Sequence, residues 1–490
     1  MTVPIEVIPE PLSKAGPGTP PPDVAYPLGP FRQSVEFLVA LSLCVLLFRT
    51  FTAEAYIVPT GSMATTLLGD HREVICTNCD YPFVLGLDDR GRAGRPVCPN
   101  CGQTDLERAA TVESHGDRVL VQKFLYDFRR PERWEVAVFQ YPGDPSQAYV
   151  KRVVGLPGES VRVALGDVWI NGEVARKSLA EQRAMRIPVY DQRFAPRDSD
   201  RVPRWVFRRG RFGERLPSGW RTEGTRFVHE PVAPPLDQYD WVDYRHWDPS
   251  RGRYAPIHDF IAYNGAETRG ENLVTDLMVA ATITCGPDAR SVAVRLDAGS
   301  DRFLVEFPVG VEAVPDVRRN GRKLTVSHPK PTWPRPGVPA LLEVSAMDRR
   351  LTVAIDGDLL FDPIDYDDPR VGPGPTESPL GIGVQGGSVA IDALRVYRDV
   401  HYTTSLAFSS RRASGVEAPY RLGPDEFFVL GDNSPVSNDS RFWPGRPVVP
   451  GEFFLGKPFL VHLPGQVIPL KVFGRSLYWV PDPREIRYIR

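Results

Sequence analysis

The chain has little net charge, -2 across 490 residues, so nothing in its balance points to nucleic acid as a partner. Histidine is scarce: eight residues are scattered along the sequence, and none falls in a motif that would pair it with a candidate nucleophile. A Ser-His-Asp triad is therefore not indicated. Long apolar runs are also scarce. The one membrane-like stretch, Phe37 to Phe48, has twelve uncharged residues, against the roughly 20 that a spanning helix needs. Only six cysteines occur, and Cys44 and Cys285 stand alone. Such a count does not read as a disulfide framework, and it leaves the redox compartment open.

Proline is plentiful, 50 residues, many of them between short apolar runs, which favours β structure with many turns over helices. With 42% apolar and 10% aromatic residues the chain is folded material, and its length calls for more than one domain. The expected fold class is mainly β. Residues 1–30 read as a disordered Pro-rich tail around Pro20-Pro-Pro22. Residues 31–57 read as a transmembrane anchor if Glu36 and Arg49 lie near the interfaces. Two rival readings of that run are a cleaved signal ending at Thr52-Ala-Glu-Ala55 and a buried core helix.

Strand-like runs follow at Val119-Leu-Val-Gln-Lys-Phe, Val136-Ala-Val-Phe and Ala148 to Leu156, with a hairpin signal at Asn171-Gly172. Residues 176–225 are charged and read as a linker. From 226 to 400, alternating runs such as Ser291-Val-Ala-Val-Arg-Leu296 suggest a β-sandwich. Its closing segment, Gly381 to Tyr397, resembles concanavalin-A-like or laminin-G-like jelly rolls. Residues 420–475 return to the earlier style, so the sandwich reads as an insertion, and 476–490 as a C-terminal tail.

Two stretches carry the chemistry. Ser62 lies in Val58-Pro-Thr-Gly-Ser-Met63, just after the apolar run, and Lys151 lies in Tyr149-Val-Lys-Arg-Val-Val-Gly-Leu-Pro-Gly158. A hydroxyl needs a base to take its proton. A lysine serves only when neutral, and its free pKa is about 10.4. Apolar burial lowers that value by up to about 3–5 units, enough for work near neutrality. The surrounding Val and Leu residues suit such burial.

Gly116-Asp-Arg-Val-Leu-Val-Gln-Lys123 and Gly431-Asp-Asn-Ser-Pro-Val-Ser-Asn-Asp-Ser-Arg-Phe-Trp443 join these two in order. Together the four stretches closely resemble the bacterial type I signal peptidases, over roughly 31–75, 112–175 and 420–462. The resemblance implies a catalytic β domain over 58–75, 106–175 and 420–475, and a membrane-bound serine endopeptidase with a Ser/Lys dyad that removes N-terminal signal peptides. It makes Ser62 the nucleophile and Lys151 the general base, with Thr60 and the Ser62 N–H as oxyanion hole. Ser437 would orient the lysine, backed by Asp439 and Arg441. Tyr56, Val58, Leu67 and Val150 would line shallow pockets for small side chains at -1 and -3 of the scissile bond. It also implies exported preproteins and the lipid bilayer as partners, no catalytic cofactor, and a single-pass protein of the bacterial cytoplasmic membrane whose catalytic domain is extracytoplasmic. Ala64-Thr65-Thr66-Leu67, where relatives carry proline two residues after the methionine, and Trp443-Pro444, where glycine is usual, depart from the pattern. A rival from another class is a membrane-tethered protein whose sandwich holds a glycan or protein ligand on a degenerate peptidase scaffold.

The other four cysteines pair as Cys76-x2-Cys79 and Cys98-x2-Cys101, with 18 residues between the pairs. This spacing matches a zinc ribbon over 76–105, a structural site whose four thiolates leave no open position. Two disulfides and rubredoxin-like iron are the alternatives. Asp117, Lys123, His71 and His115 read as scaffold or ordinary polar residues, Asp432 and Asn433 as a tight turn, and Asp365-Tyr-Asp-Asp368 as a solvated acidic loop rather than a calcium site.

Overall fold

A computed structural model describes residues 29–47, 53–88, 90–106, 111–198, 202–209, 216–232, 238–265, 268–310, 314–330, 335–367, 374–406, 413–465, 467–472 and 475–489. Residues 1–28, which hold nearly all of the expected Pro-rich tail, lie outside that set. Two units separate, Met1–Thr52 and Ala53–Arg490. In the first, Pro30–Leu47 forms an 18-residue helix, and Phe37, Leu38, Val39, Leu41, Leu43 and Val45 are all exposed on it. No helix among the described residues is long and apolar enough to cross a membrane. Of the anchor expected over 31–57, residues 48–52 lie outside the described set and the last five residues are not helical. Its helix is described as far as Leu47, and Ala53–Ile57 is a strand whose buried and exposed residues alternate, paired with Arg118–Gln122.

That pair opens an antiparallel sheet. Its order runs Ala53–Ile57, Arg118–Gln122, Phe454–Leu463, Val136–Tyr141, Asp144–Gly155, Glu426–Leu430, Val449–Pro450. The apolar run Val136-Ala-Val-Phe139 is buried throughout because it lies inside this sheet. Its pairing with Asp144–Gly155 sets Ala137 opposite Lys151, and Leu430 pairs with Arg152 on the other side. A second small sheet, Ser160–Ala164, Asp167–Ile170, Glu173–Val174 and Tyr420–Arg421, flanks it. The turn at Asn171-Gly172 has φ of 52° and 90°, the doubly left-handed form that a two-residue hairpin favours.

Two larger sheets face each other farther along the chain. One has the order Trp220–Glu223, Arg226–His229, Val389–Arg398, Leu277–Cys285, Ala340–Met347, Arg350–Ile355, Asp358–Leu359. The other runs Trp205–Arg209, Asp240–Tyr244, Leu380–Gly386, Ala289–Ala298, Asp301–Pro308, Asp316–Arg319, Arg322–Leu324. Val242, Ile283, Leu296, Phe303, Leu342, Val353, Ile382 and Ile391 belong to one buried cluster drawn from both.

Three boundaries differ from those the sequence suggests. Residues 176–225 are not a linker. They hold the helix Leu179–Met185, started by a capping box from Ser178 and Glu181, and strands Ile187–Asp191, Trp205–Arg209 and Trp220–Glu223 that complete the two sandwich sheets. Their many arginines hid this by pairing with acids, as Arg208 does with Asp243. His71–Ile75 and Thr111–Ser114 pair into a sheet with Pro82–Gly86, so the cysteine-bearing lobe is wider than 76–105. The segment 476–490 is not a loose tail either: Arg475–Pro481 forms a hairpin with Val467–Val472, and Arg487–Tyr488 adds to Phe454–Leu463.

Candidate active site

Ser62 sits in a single 3-10 turn, Gly61–Met63, entered from Thr60 in extended conformation and pinned beneath by the wholly buried Met63. Lys151 arrives from the middle of the sheet, 89 positions away in sequence, with 4% of its surface exposed. Its Nζ donates to Ser62 Oγ at 2.5 Å. Burial pushes the Lys151 amine down to about 8, opposed by the nearby charges of Asp439 and Asp432 and assisted by that of Arg441. The arrangement is a hydroxyl in contact with a lysine whose neutral form is within reach at ordinary pH.

Both carboxylates near this lysine are already engaged. Asp439 accepts from Arg441 Nε at 2.9 Å and Nη2 at 2.8 Å, and from the Gly431 N–H at 3.0 Å, all fully buried. Asp432 accepts from Arg152 Nε at 2.7 Å and Nη2 at 2.6 Å, and from Thr66 Oγ1 at 2.5 Å. Arg152 also donates to the Trp134 carbonyl at 2.6 Å. The Arg152–Asp432 pair thus ties the lysine strand to the 431–433 turn and, through Thr66, to the chain just past Ser62. Sequence reading missed it: Asp432 looked like turn chemistry, and Arg152 was hidden in its own motif. A charged residue inside an otherwise apolar strand was the available signal.

The other expected site residues fall as follows. Thr60 is exposed and lines the cleft beside Ser62. Tyr56, Val58 and Val150 line the same cleft, of about 870 Å³. Leu67 does not line it; its side chain is packed in the core beneath, with Met63, Val119 and Val136. Ser437 is completely buried, and its Oγ makes no hydrogen bond, so no bond from it orients Lys151 here. Its hydroxyl packs instead against Gly431: a Cβ on that glycine would lie 2.1 Å from Ser437 Oγ and 2.5 Å from the Ser62 carbonyl oxygen. Asp117 is buried and fastens the scaffold, accepting from the Leu68 N–H at 3.0 Å, the Gly465 N–H at 2.9 Å and Arg487 at 2.9 Å. Lys123 pairs with Glu54 at 3.2 Å, His71 is buried against the Gly69 carbonyl, and His115 is exposed.

Cys76, Cys79, Cys98 and Cys101 converge in a separate buried cluster. Cys76 and Cys101 Sγ lie 3.5 Å apart, and Cys79 and Cys98 Sγ 3.7 Å. Four sulfurs at about 2.3 Å from a tetrahedral ion would stand roughly 3.8 Å from one another, so the donor set fits zinc. The two loops are built alike. Asp80 N–H donates to the Cys76 carbonyl and Gly102 N–H to the Cys98 carbonyl, each at 2.9 Å, and Asp80 and Gly102 both have positive φ. Asn78 and Asn100 each turn an amide toward a sulfur of the opposite loop at 4.0 Å. Such an ion would brace this lobe; with four protein ligands it would offer no position to a substrate.

The family described as signal peptidase, peptidase S26, matches residues 108–207, a span that includes Lys151 but not Ser62. The chain is 44% identical over 142 residues to a signal peptidase I of Pseudomonas fluorescens, covering 28% of this chain and 37% of that one. It is 35% identical over 167 residues to a probable signal peptidase I-1 of Synechocystis sp., covering 33% of this chain and 60% of that one. To a probable signal peptidase I-2 of the same organism it is 40% identical over 81 residues, covering 15% of this chain and 35% of that one. The chain thus spans about a third of the length of most of these curated relatives. Among solved structures, a carbohydrate binding module, CBM66 from Bacillus subtilis, aligns at 12% identity and a TM-score of 0.25, over 39% of this chain and 94% of that one. A likeness that slight carries no argument.

Proposed function

We propose that the chain is a serine endopeptidase of the signal peptidase I type, which removes N-terminal signal peptides from exported preproteins. The observation that carries this reading is the 2.5 Å contact between Ser62 Oγ and the buried Nζ of Lys151. Similarity to signal peptidases I across that strand supports it.

In this mechanism neutral Lys151 takes the Ser62 proton as Oγ attacks the scissile carbonyl. The Ser62 N–H and the Thr60 hydroxyl, at the mouth of the turn, receive the negative charge that develops on the carbonyl oxygen. Lys151 then gives its proton to the departing amine. It next takes one from the water that releases the acyl group, and Ser62 is restored. Val58 and Val150, with Tyr56, shape the cleft wall against large side chains, which favours small residues at -1 and -3. Attachment to the bacterial cytoplasmic membrane through Pro30–Leu47 and its flanks, with the catalytic unit outside, belongs to the same proposal. Carbonate extraction of membranes tests that part, and full release of the protein would overturn it.

The decisive assay incubates purified protein, in detergent, with a preprotein bearing an Ala-x-Ala site, beside Ser62→Ala and Lys151→Ala variants. Cleavage after the second alanine by wild type, and by neither variant, is the expected result. Cleavage that survives either substitution would overturn the assignment.

A further inference from the structure

The inserted sandwich segment reaches the nucleophile. Between strands Arg253–Tyr254 and Leu277–Cys285 lies a 3-10 turn, Ala262–Asn264, whose three residues are all buried. Tyr263 and Asn264 line the same cleft as Ser62 and Lys151. The Tyr263 ring lies against Gly61 and Gly86, and a Cβ built on Gly61 would come within 2.0 Å of it. Its hydroxyl donates to the Asp70 carbonyl at 3.1 Å.

Asn264 makes a more specific contact. Its Nδ2 donates to Asn433 Oδ1 at 2.6 Å, and Asn433 Nδ2 donates back to Asn264 Oδ1 at 2.7 Å, a closed pair of amides. Asn433 spends its remaining donors on the nucleophile turn. Nδ2 also donates to the Gly61 carbonyl at 2.8 Å, and its backbone N–H donates to the Ser62 carbonyl at 3.1 Å. The side chain of Asn433 is wholly buried, so its amide depends on partners within the protein. With Asn264 in place, both Nδ2 hydrogens and Oδ1 are satisfied. Without it, one donor and the acceptor lose their partner at the cleft wall, and the amide is no longer held toward the Gly61 carbonyl.

We propose that Asn264 is a positioning residue for the reaction at Ser62. Through the paired amide of Asn433 it fixes the carbonyls of Gly61 and Ser62, and with them the placement of Ser62 Oγ against Lys151 Nζ. The inference rests on the reading of Ser62 and Lys151 as the reacting pair. It makes the sandwich insertion a working part of the catalytic centre.

The test compares wild type with Asn264→Ala and Asn264→Leu, the second keeping volume while losing both amide bonds. Two rates are read: cleavage of the Ala-x-Ala preprotein, and acylation of Ser62 by p-nitrophenyl acetate followed by intact mass. Both variants should lose roughly ten- to a hundredfold in kcat and in acylation rate, at unchanged KM, as expected of a small displacement of a reacting atom. Wild-type rates in the Leu variant would show a space-filling role and overturn the proposal, as would a change in KM with kcat unmoved. If both variants melt below the assay temperature, Asn264→Ser replaces them: an intermediate loss is expected, and a wild-type rate overturns the proposal. A wild type that is acylated at Ser62 but cleaves no preprotein sinks the peptidase reading, while the ester arm still decides the role of Asn264. A wild type that neither is acylated nor cleaves the preprotein overturns both.

Discussion

Raising the pH should switch the reaction on with an inflection near 8. Burial lowers the Lys151 amine from 10.5 to about 8. At pH 7 the neutral fraction of an ordinary lysine is roughly 0.03%, and at a pKa of 8 it is roughly 10%, a gain of about three hundredfold worth about 3 kcal/mol. The specificity constant kcat/KM reports groups of the free enzyme. Measured on the Ala-x-Ala preprotein from pH 6 to 10, it should climb about tenfold per unit and flatten above about 8. A half-rise at 10 or higher, the place of an exposed lysine, would refute the reasoning. The same shift has a stability sign. The folded value lies below the unfolded one, so between about 8 and 10.5 the unfolded chain binds more protons and stability rises with pH. Below 8 the full penalty of burying the charged amine is present. Lys151→Met should therefore be more stable than wild type at pH 7, by up to about 3 kcal/mol, with the difference fading as pH rises past 10. Urea unfolding at both pH values checks it, and a Met variant less stable than wild type at pH 7 would contradict it.

Metal analysis should find about one zinc per chain, lost in Cys98→Ser, and a chelator should lower the melting temperature of the cysteine-bearing lobe; a zinc-free native protein ends that claim. Arg152→Met leaves the Asp432 carboxylate buried without its partner, and urea titration should show a loss of roughly 3–5 kcal/mol. The bare carboxylate should also move the pH inflection of any surviving activity upward, because its charge favours the protonated lysine. Gly431→Ala drives a methyl group into Ser437 Oγ and the Ser62 carbonyl, so cleavage should fall at least a hundredfold while circular dichroism keeps the β signature.

Ser62 and Lys151, 89 positions apart, were brought together in the reading by the resemblance of four ordered stretches to a known family, and the structure sets their side chains in contact. The four cysteines were legible locally, because their spacing encodes their own loops. Strands with clean alternation, such as Arg118–Gln122, were readable for the same reason. What escaped has a common cause: contacts between distant segments leave no periodic trace. Asn264 and Tyr263 lie in an unpatterned stretch of an insertion, and nothing near them hints at Gly61 or Asn433. The charged stretch 176–225 read as a linker because its arginine-rich strands and helix lack the apolar rhythm, although acids such as Asp243, against strand residue Arg208, and Glu343, against Arg183 and Arg186 of the helix and its cap, pair them in place. Leu67 looked like a pocket residue by position, but the turn that follows Met63 sends it into the core.

Lowering a lysine's pKa by burial works only if nearby acids do not undo it, and here two acids stand close. Asp432 and Asp439 both act to hold Lys151 protonated. Each is gripped in two places by an arginine, Asp432 by Arg152 and Asp439 by Arg441, with the four side chains almost entirely shielded from solvent. A carboxylate whose charge is matched at 2.6–2.8 Å presents little net field beyond its partner, so desolvation wins at the lysine. The same forked bonds fix the 431–441 segment, whose Gly431 leaves room for the Ser62 carbonyl and whose Asn433 holds it. Placing the Ser62 hydroxyl and leaving the lowered value of the Lys151 amine intact are therefore one structural requirement, and neither arginine can be exchanged for a lysine without losing the fork that meets both.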